Sequence, residues 1–414
     1  MSMRLPGRSD VEQQATQALD YGLSGESIIC FAGEDWWYHH PHSKNHILKR
    51  LAGRNRVLFV NSISMGLPSM SNPDFFLKIR RKLKSYMRWL RRVPEGLWVM
   101  TPVVIPLYGS RFAKLINSVL LNVQMRLAMM ICGMDRPIIW VAIPSAADIA
   151  ESLDSKLLLY QVSDKYDATE DSALSRTTIR EFDRRLKAKA AIVLYSGRKL
   201  FDEADEPNRF LLSQGVDYEH FSQEAASTAE DIAEIPHPVL GYFGAMDYVM
   251  DSELMQEVLR RRPEWHWAMI GLKSNLIKLN APNLHFLGSK PYSQLPSYVK
   301  HFDVCILPWR TDNPFTQYGS AIKVREYLAT GKPIVMTQLY EYRDAKGVRF
   351  FANADEFIAA VENALTQDSP HLREMRQSSV RHGTWDDRTR QVASIIHSLL
   401  TYGHMPRSKA VAAD

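Results

Sequence analysis

The sequence has little of what would place the chain in a specialised class of protein. Its 414 residues include three cysteines, Cys30, Cys132 and Cys305, and none of them belongs to a CxxC pair. This excludes a disulfide scaffold and favours a reducing, cytoplasmic compartment. No run of about 18 uninterrupted apolar residues occurs and residues 1–20 lack an apolar signal core, so neither a membrane span nor a secretory leader is expected. A hydrophobic content of 45% excludes disorder as the main state.

Positive charge is concentrated in one segment of the chain. Residues 75–134 contain eleven Lys and Arg but a single acid, Glu95, so the segment carries +10 and the remainder −5 of the net +5. Such a block predicts a local anionic partner and argues against general binding of nucleic acid.

Within that block, residues 75–92 place apolar side chains at helical spacing among Lys and Arg, which predicts a basic amphipathic helix on an anionic membrane surface. A second apolar-periodic helix is expected through 112–127. Because Asn122, Gln124 and Arg126 interrupt it, we do not expect it to cross a bilayer. The alternative is an ordinary core-packed helix with a solvated basic face.

Short apolar runs alternate with stretches long enough for crossover helices. The runs lie at 27–32, 56–61, 97–100, 137–143, 156–161 and 191–196, and then at 238–244, 265–271, 284–288, 303–308, 333–337 and 348–351. They are continuous rather than alternating, which is typical of parallel strands buried on both faces. Helices are predicted at 252–262, 292–301, 320–330 and 354–366. The pattern predicts two doubly wound α/β sheets.

The domain boundaries follow from a polar, Ala-rich stretch at 222–234 and from the break near 212. We expect an N-terminal tail (1–26), a first domain (27–212), a second domain (213–385) and a final helix and tail (386–414). In doubly wound sheets ligands bind beyond the carboxyl ends of the strands, so two facing domains place the site in the cleft between them.

The most informative motif runs from Tyr318 to Val335. Gly319 and Ser320 precede a predicted helix start, where free N–H groups and the helix dipole suit a phosphate. Lys323 in the first turn adds a point charge, and Glu326 on the same face can accept hydrogen bonds from a diol such as ribose. The alternative is a surface helix with an i,i+3 ion pair. A weaker motif, Gly241-Tyr242-Phe243-Gly244, follows the first strand of this domain and suits either a ligand loop or a tight strand-to-helix turn.

With these motifs the sequence resembles the GT-B nucleotide-sugar glycosyltransferases, in particular the glycosyltransferase-4-like group (glycosyl transferases group 1). The resemblance rests on KVREYLATGKPIV (323–335), GVD…F (215–221), PVLGYFG (238–244) and DWW…NHILKRL…RVLFVN (35–61), in this order. It implies the GT-B fold, two Rossmann-like doubly wound parallel-sheet domains facing a cleft. It also implies that Lys323 contacts the donor diphosphate and Glu326 the ribose. The residue patterns add Gly244, Ser320 and Lys273 as candidate donor-binding residues.

Two departures from the family pattern concern the donor. Many relatives have a Glu eight residues before the ribose Glu, where this chain has Tyr318, and an Arg in the loop that here offers Met246 and Asp247. The usual contact to the sugar and the usual two-cation diphosphate clamp are therefore not evident. Lys273 is the candidate to replace the second cation in part.

The acceptor side is predicted in the first domain. Asp35, Trp36 and Trp37 follow the first strand, and an acid beside two indoles suits a sugar, although the indoles suit a domain core equally well. Asp35 and Asp164 are the candidate general bases if the reaction inverts; a retaining reaction needs none. Asp164 also suits a helix N-cap.

His42 lies in a cluster of four His, at 39, 40, 42 and 46, and we expect it to line the acceptor site. No HExxH motif or neighbouring Cys accompanies this cluster, so neither a metal nor another cofactor is expected.

The expected function is transfer of a sugar from a UDP- or GDP-linked donor to a glycan or polyprenyl-diphosphate-linked acceptor, in cell-surface glycan or exopolysaccharide synthesis. The expected location is the cytoplasmic face of the plasma membrane, held peripherally. The alternatives are a catalytically silent GT-B binding subunit and a nucleotide-sugar epimerase. The absence of a GxGxxG motif after a strand disfavours a nicotinamide dehydrogenase.

Overall fold

The computed structural model describes residues 19–37, 41–62, 89–104, 111–166, 175–223 and 225–403, without the side chains of 111–114. It divides into two compact units. The first contains the described residues up to Ser196, together with Glu203–Leu212 and the described residues from Arg388 onward. The second contains Gly197–Asp202 and Ser213–Asp387.

The described part of the first unit is built on one sheet, in the order β3-β4-β2-β1-β5-β6-β7-β8, parallel except for the antiparallel pair β3 and β4. The strands are β1 (Ser27–Phe31), β2 (Arg56–Val60), β3 (Leu90–Arg92), β4 (Trp98–Met100), β5 (Ile138–Val141), β6 (Leu157–Val162), β7 (Ile192–Tyr195) and β8 (Arg209–Leu211). All side chains of β1 and β5 are buried, as continuous apolar runs predict.

The first unit has helices between these strands. They are α1 (Ser43–Leu51), α2 (Arg111–Cys132), α3 (Ala147–Ser152) and α4 (Arg176–Lys189), with a 3₁₀ turn at Pro144–Ala146. Helix α4 begins where the Ser175 side chain accepts a hydrogen bond from the Thr178 amide. A buried polar network fixes the sheet from within: Gln161 accepts from the Trp140 indole (3.0 Å) and donates to Ser196 (2.9 Å) and Ser43 (3.2 Å).

One expectation for the basic segment is wrong at its end. The predicted helix over 75–92 does not extend to its end, because Leu90–Arg92 form β3, which pairs with β4; the rest of that prediction, 75–88, lies outside the described residues. The second expected helix, through 112–127, is confirmed as α2, which includes Asn122, Gln124 and Arg126. By length and composition alone, its part Leu115–Cys132 is apolar enough to cross a membrane, with a mean hydropathy of 1.5 and 28% of the window buried.

The second unit is built on a parallel sheet in the order β11-β10-β9-β12-β13-β14. Its strands are β9 (Val239–Phe243), β10 (His266–Ile270), β11 (Leu284–Gly288), β12 (Val304–Leu307), β13 (Ile334–Thr337) and β14 (Val348–Phe351). This order is the doubly wound pattern expected from the sequence. It brings the loops after β9, β12 and β13 to one edge of the sheet.

Helices cover this second sheet. They are α5 (Arg198–Asp202), α6 (Tyr218–Ser222), α7 (Glu230–Ala233), α8 (Ser252–Arg261), α9 (Leu295–Val299), α10 (Pro314–Tyr318), α11 (Ile322–Thr330), α12 (Ala354–Thr366) and α13 (Pro370–Ser378), with 3₁₀ turns at Tyr292–Gln294 and Tyr340–Tyr342. A last helix, α14 (Trp385–Tyr402), begins in the second unit and continues in the first. Helix α11 ends at Gly331, whose φ of 70° suits the left-handed cap position.

Candidate functional site

Lys323 lies in the first turn of α11 and reaches back to the loop after β9. Its ammonium donates to the Tyr242 hydroxyl at 2.8 Å and lies over the rings of Tyr242 (4.6 Å) and Trp309 (4.7 Å). Gly244 makes this approach possible: its φ is +135°, and a Cβ there would come within 2.4 Å of the Lys323 Nζ atom. The sequence-predicted pair Gly244 and Lys323 is thus in contact, with a positive charge at the carboxyl end of β9.

Glu326 follows on the same helix and is 7% exposed. The pKa of its carboxyl is raised from 4.5 to about 7, chiefly by burial; a hydrogen bond from Tyr292 and the charge of Lys323 oppose this rise, and Asp217 adds to it. The ring of Tyr292 stacks on His220, with centroids 5.0 Å apart. A carboxylate in this setting can accept hydrogen bonds from a pair of hydroxyl groups.

The other two predicted donor residues have different surroundings. Ser320 lies just before α11, beside Ala321, whose carbonyl accepts a hydrogen bond from Tyr342 at 2.8 Å. Lys273 forms an isolated β-bridge with Met246, and its ammonium lies over the Phe286 ring at 4.4 Å. The contacts of Lys273 in the described part of the chain are thus with the Phe286 ring and with the loop after β9.

In the first unit, three charged groups converge where β1 and β6 end. Lys44, on α1, lies 2.5 Å from Glu34 Oε1, and both side chains are largely buried. The second oxygen of Glu34, Oε2, has no hydrogen-bond partner among the described residues. Burial raises the pKa of the nearby Asp164 carboxyl; the charge of Lys44 lowers it and that of Glu34 raises it again. An acid with a raised pKa beside a buried ion pair is suited to proton transfer.

The remaining predicted acceptor residues serve local structure as well. Asp35 accepts a hydrogen bond from the Trp37 amide at 2.9 Å, which closes a tight turn. Trp36 packs edge-on against Phe59, with ring centroids 5.0 Å apart. This contact fits the alternative that the indoles pack within the domain. His42 is the N-cap residue of α1, half exposed, with its Nδ1 atom 4.0 Å from Glu34.

Sequence reasoning did not select Glu34 and Lys44. Glu34 was visible as part of the acidic turn after β1, whereas no local signal indicated that Lys44 would be buried. His46, one turn further along α1, is mostly buried, and burial lowers its pKa to about 3, so it is neutral at physiological pH. Among the described residues, no group of three or more His, Cys, Asp and Glu is arranged to hold a metal ion.

Comparisons with known proteins bear on the family and the fold. The profile of the family described as Glycosyl transferases group 1 matches residues 237–367, which include β9 to β14, Lys323 and Glu326. A candidate teichuronic acid biosynthesis glycosyltransferase of Bacillus subtilis (strain 168), TuaH, is 25% identical over 289 residues, which are 62% of this chain and 71% of the relative.

Solved structures share the fold at low sequence identity. Sucrose-phosphate synthase from Thermosynechococcus elongatus superposes with a TM-score of 0.66 at 13% identity, over 90% of this chain and 99% of the other. Anabaena HepE, solved in complex with UDP and glucose, gives 0.62 at 13% identity, over 90% and 100%. Residues 237–367 are therefore a domain of the glycosyl transferases group 1, and the chain is a glycosyltransferase enzyme with the GT-B fold.

Proposed function

We propose that the enzyme transfers a sugar from a nucleotide diphosphate sugar bound by the second unit to an acceptor glycan in cell-surface polymer synthesis. The observation that carries this proposal is the pairing of Lys323, held at Gly244, with the buried carboxyl of Glu326 on the same helix. A cation at the end of a parallel strand suits a diphosphate, and a carboxylate one turn away suits the ribose hydroxyls.

The solved relatives support this choice of donor. HepE was crystallised with UDP-glucose, and a trehalose-6-phosphate protein of E. coli was bound with UDP-2-fluoro glucose. The cation at Lys323 would also stabilise the charge that develops on the departing diphosphate, since a fixed positive group needs no reorganisation during the reaction. Transfer of this kind requires no further cofactor.

A thermal-shift screen with UDP, GDP, ADP and CMP tests the donor assignment. A nucleotide present at 100-fold its dissociation constant stabilises a protein by about 2.7 kcal/mol, which a melting curve resolves. We expect UDP or GDP to stabilise the wild type, and Lys323→Met to reduce that stabilisation. Lys278→Met is the matched control, because Lys278 is an exposed lysine of the same unit. No stabilisation by any of the four nucleotides would contradict the proposal.

On the acceptor side we propose Asp164 as the general base of an inverting reaction, with Glu34 and Lys44 setting its charge environment. Its raised pKa makes it a stronger proton acceptor than an exposed Asp, and its place after β6 is the strand end at which such sheets bind ligands. Asp35 is the weaker candidate because its carboxylate already accepts the Trp37 amide. The anomeric configuration of the product, read by NMR, distinguishes inversion from retention.

We further propose that the first unit docks on the inner face of an anionic membrane through α2, where a polyprenyl-diphosphate-linked acceptor would be presented. One face of α2 packs into the unit through Leu121, Met125, Ala128 and Cys132. The opposite face exposes Leu115, Val119, Val123, Leu127, Met130 and Ile131. A helix with one face in the protein core and an apolar stripe on the other lies in the membrane interface, and the +10 of residues 75–134 favours anionic lipid at about 1 kcal/mol per basic residue.

Co-sedimentation with phosphatidylglycerol vesicles at low salt tests the docking. We expect wild type to sediment with anionic but not with neutral vesicles, and the double variant Val119→Glu, Val123→Glu to stay in solution. Leu276→Glu, which changes an equally exposed leucine of the second unit, is the control and should behave as wild type. Failure of wild type to bind, or a concentration-dependent dimer abolished by the double variant, would contradict membrane docking.

A further inference from the structure

A second concave site lies at the same edge of the sheet as Lys323. It has a volume of about 290 Å³. It is lined by Lys199, Thr311, Thr316, Gln317, Gln338, Leu339, Tyr340 and Arg343. Two of these side chains are cationic, and none is acidic. Its size is at the lower end of small-molecule sites, about 300–1,000 Å³, and suits a single sugar ring rather than a longer glycan.

Both cations of this pocket are held on aromatic rings. The Lys199 ammonium lies 4.3 Å from the centre of the Tyr318 ring and 6.0 Å from that of Tyr340. The Arg343 guanidinium lies 3.9 Å from the Tyr340 ring and donates to the Tyr340 carbonyl at 2.9 Å. Its ion pair with Asp344, at 3.5 Å, involves a carboxylate that is 88% exposed, so water screens it.

The short helix α5, which carries Lys199, is fixed in place at both ends. The Glu341 carboxylate accepts the Arg198 amide at 2.6 Å, and the Tyr340 hydroxyl donates to Asp202 at 3.0 Å. Both acids, Asp202 on α5 and Glu341 in the turn after β13, are engaged in these bonds. The position of Lys199 is therefore set by the second unit itself.

The pocket and the donor site are close along the chain at Trp309 and Tyr318. Trp309, whose ring lies under Lys323, is two residues before Thr311, and Tyr318 is five residues before Lys323. The neutral Tyr318 ring carries the Lys199 ammonium and adds no negative charge that would repel an anionic substrate group.

We propose that the donor sugar of this enzyme carries a carboxylate, as in a nucleotide-linked hexuronate, and that Lys199 and Arg343 bind that carboxylate. This inference rests on the proposed nucleotide-sugar donor. A neutral hexose presents only hydroxyl groups, for which Thr and Gln side chains suffice, whereas two cations without an acidic neighbour among the lining residues match an anion. An Arg beside a Lys also offers a fork and a point charge to the two carboxylate oxygens.

Calorimetric titration with matched donor pairs tests the assignment: UDP-glucose against UDP-glucuronate, and GDP-mannose against GDP-mannuronate. For the pair with the correct base, wild type should bind the uronate at least about tenfold more tightly than the hexose. Lys199→Met and Arg343→Gln should remove that preference, because each should weaken binding of the uronate more than binding of the hexose. Lys278→Met, an exposed lysine outside the pocket, should retain it.

Three results would overturn the hexuronate assignment. They are equal binding of both members of each pair by wild type, an equal loss of both in Lys199→Met, and binding of inorganic phosphate through Lys199 without any preference for a uronate. The second would place Lys199 on the diphosphate, and the third would assign the pocket to a phosphate of the acceptor. Titration of wild type with UDP and GDP alone distinguishes failure of the hexuronate assignment from failure of the proposed function. If UDP or GDP binds but no uronate is preferred, only the hexuronate assignment is wrong; if neither binds, the proposed donor site is wrong.

Discussion

Replacing Glu326 with Gln tests the donor site through its pH dependence, because burial brings the pKa of this carboxyl to about 7. The ribose hydroxyls donate hydrogen bonds, so they require the ionised carboxylate as acceptor. At about pH 8 roughly 90% of the free enzyme carries that carboxylate, and at about pH 6 roughly 10%. Affinity for a nucleotide sugar should therefore fall about tenfold, or about 1.4 kcal/mol, between these values.

The same shift affects folding in a defined direction. Because the pKa is raised on folding, from 4.5 to about 7, the folded state resists ionisation more than the unfolded state does. The contribution of this group to the free energy of unfolding should fall by up to about 3 kcal/mol as the pH rises from 4.5 to about 7. Above that pH it should change no further. Glu326→Gln has no such group, so both its nucleotide affinity and this part of its stability should be flat over the window.

Isothermal titration with a nucleotide sugar at several pH values measures the first effect, and urea unfolding measures the second. A nucleotide sugar is preferable to the free diphosphate, because its phosphates do not titrate in this range. We expect Glu326→Gln to bind about fivefold more weakly at about pH 8 and to be independent of pH. A wild-type affinity that is level between about pH 6 and 8, in a variant series that stays folded, would refute the role of Glu326 as a hydrogen-bond acceptor.

Three further changes have defined outcomes. Gly244→Ala places a methyl group where the Lys323 ammonium lies and strains a backbone at φ +135°, so donor affinity should fall about tenfold in a folded protein, read by titration and circular dichroism. Asp164→Asn should lower turnover by about 10²–10⁴ with donor binding intact; near-normal turnover would favour a retaining reaction. Arg376→Leu leaves the Gly331 carbonyl and Asp368 without their buried guanidinium partner, and should cost about 3 kcal/mol in urea unfolding, whereas a loss below 1 kcal/mol would show that the site relaxes.

The strands of both sheets were predictable because parallel strands bury both faces and so read as continuous apolar runs. The predicted run 284–288 matches β11 residue for residue, and 303–308 differs from β12 by one residue at each end. Strands β3 and β8 were not predicted, because each has only three residues and no apolar run. In β3, Arg91 and Arg92 are exposed, and in β8 no position is fully buried. Such short edge strands are stabilised by their neighbours rather than by a pattern of their own.

One part of the candidate site was predictable from the sequence and another part was not. Lys323 and Glu326 are close in sequence and share a helix, so their spacing alone predicts that they lie on one face. The ion pair of Glu34 with Lys44 joins a strand-end loop to a separate helix, and its burial depends on how α1 packs on the sheet. Local sequence carries no signal for such burial, since an isolated Lys is exposed in most proteins.

The return of α14 to the first unit has a consequence for biosynthesis. Gln391 donates to the Leu211 carbonyl at the end of β8, and the Arg390 guanidinium lies 5.9 Å from the Tyr21 ring, so α14 contacts both the last strand of the first sheet and the segment before β1. The ribosome releases this helix only after the entire second unit has been synthesised. The continuous segment Ser213–Asp387 of the second unit can therefore fold during translation, whereas the first unit remains incomplete until α14 has emerged.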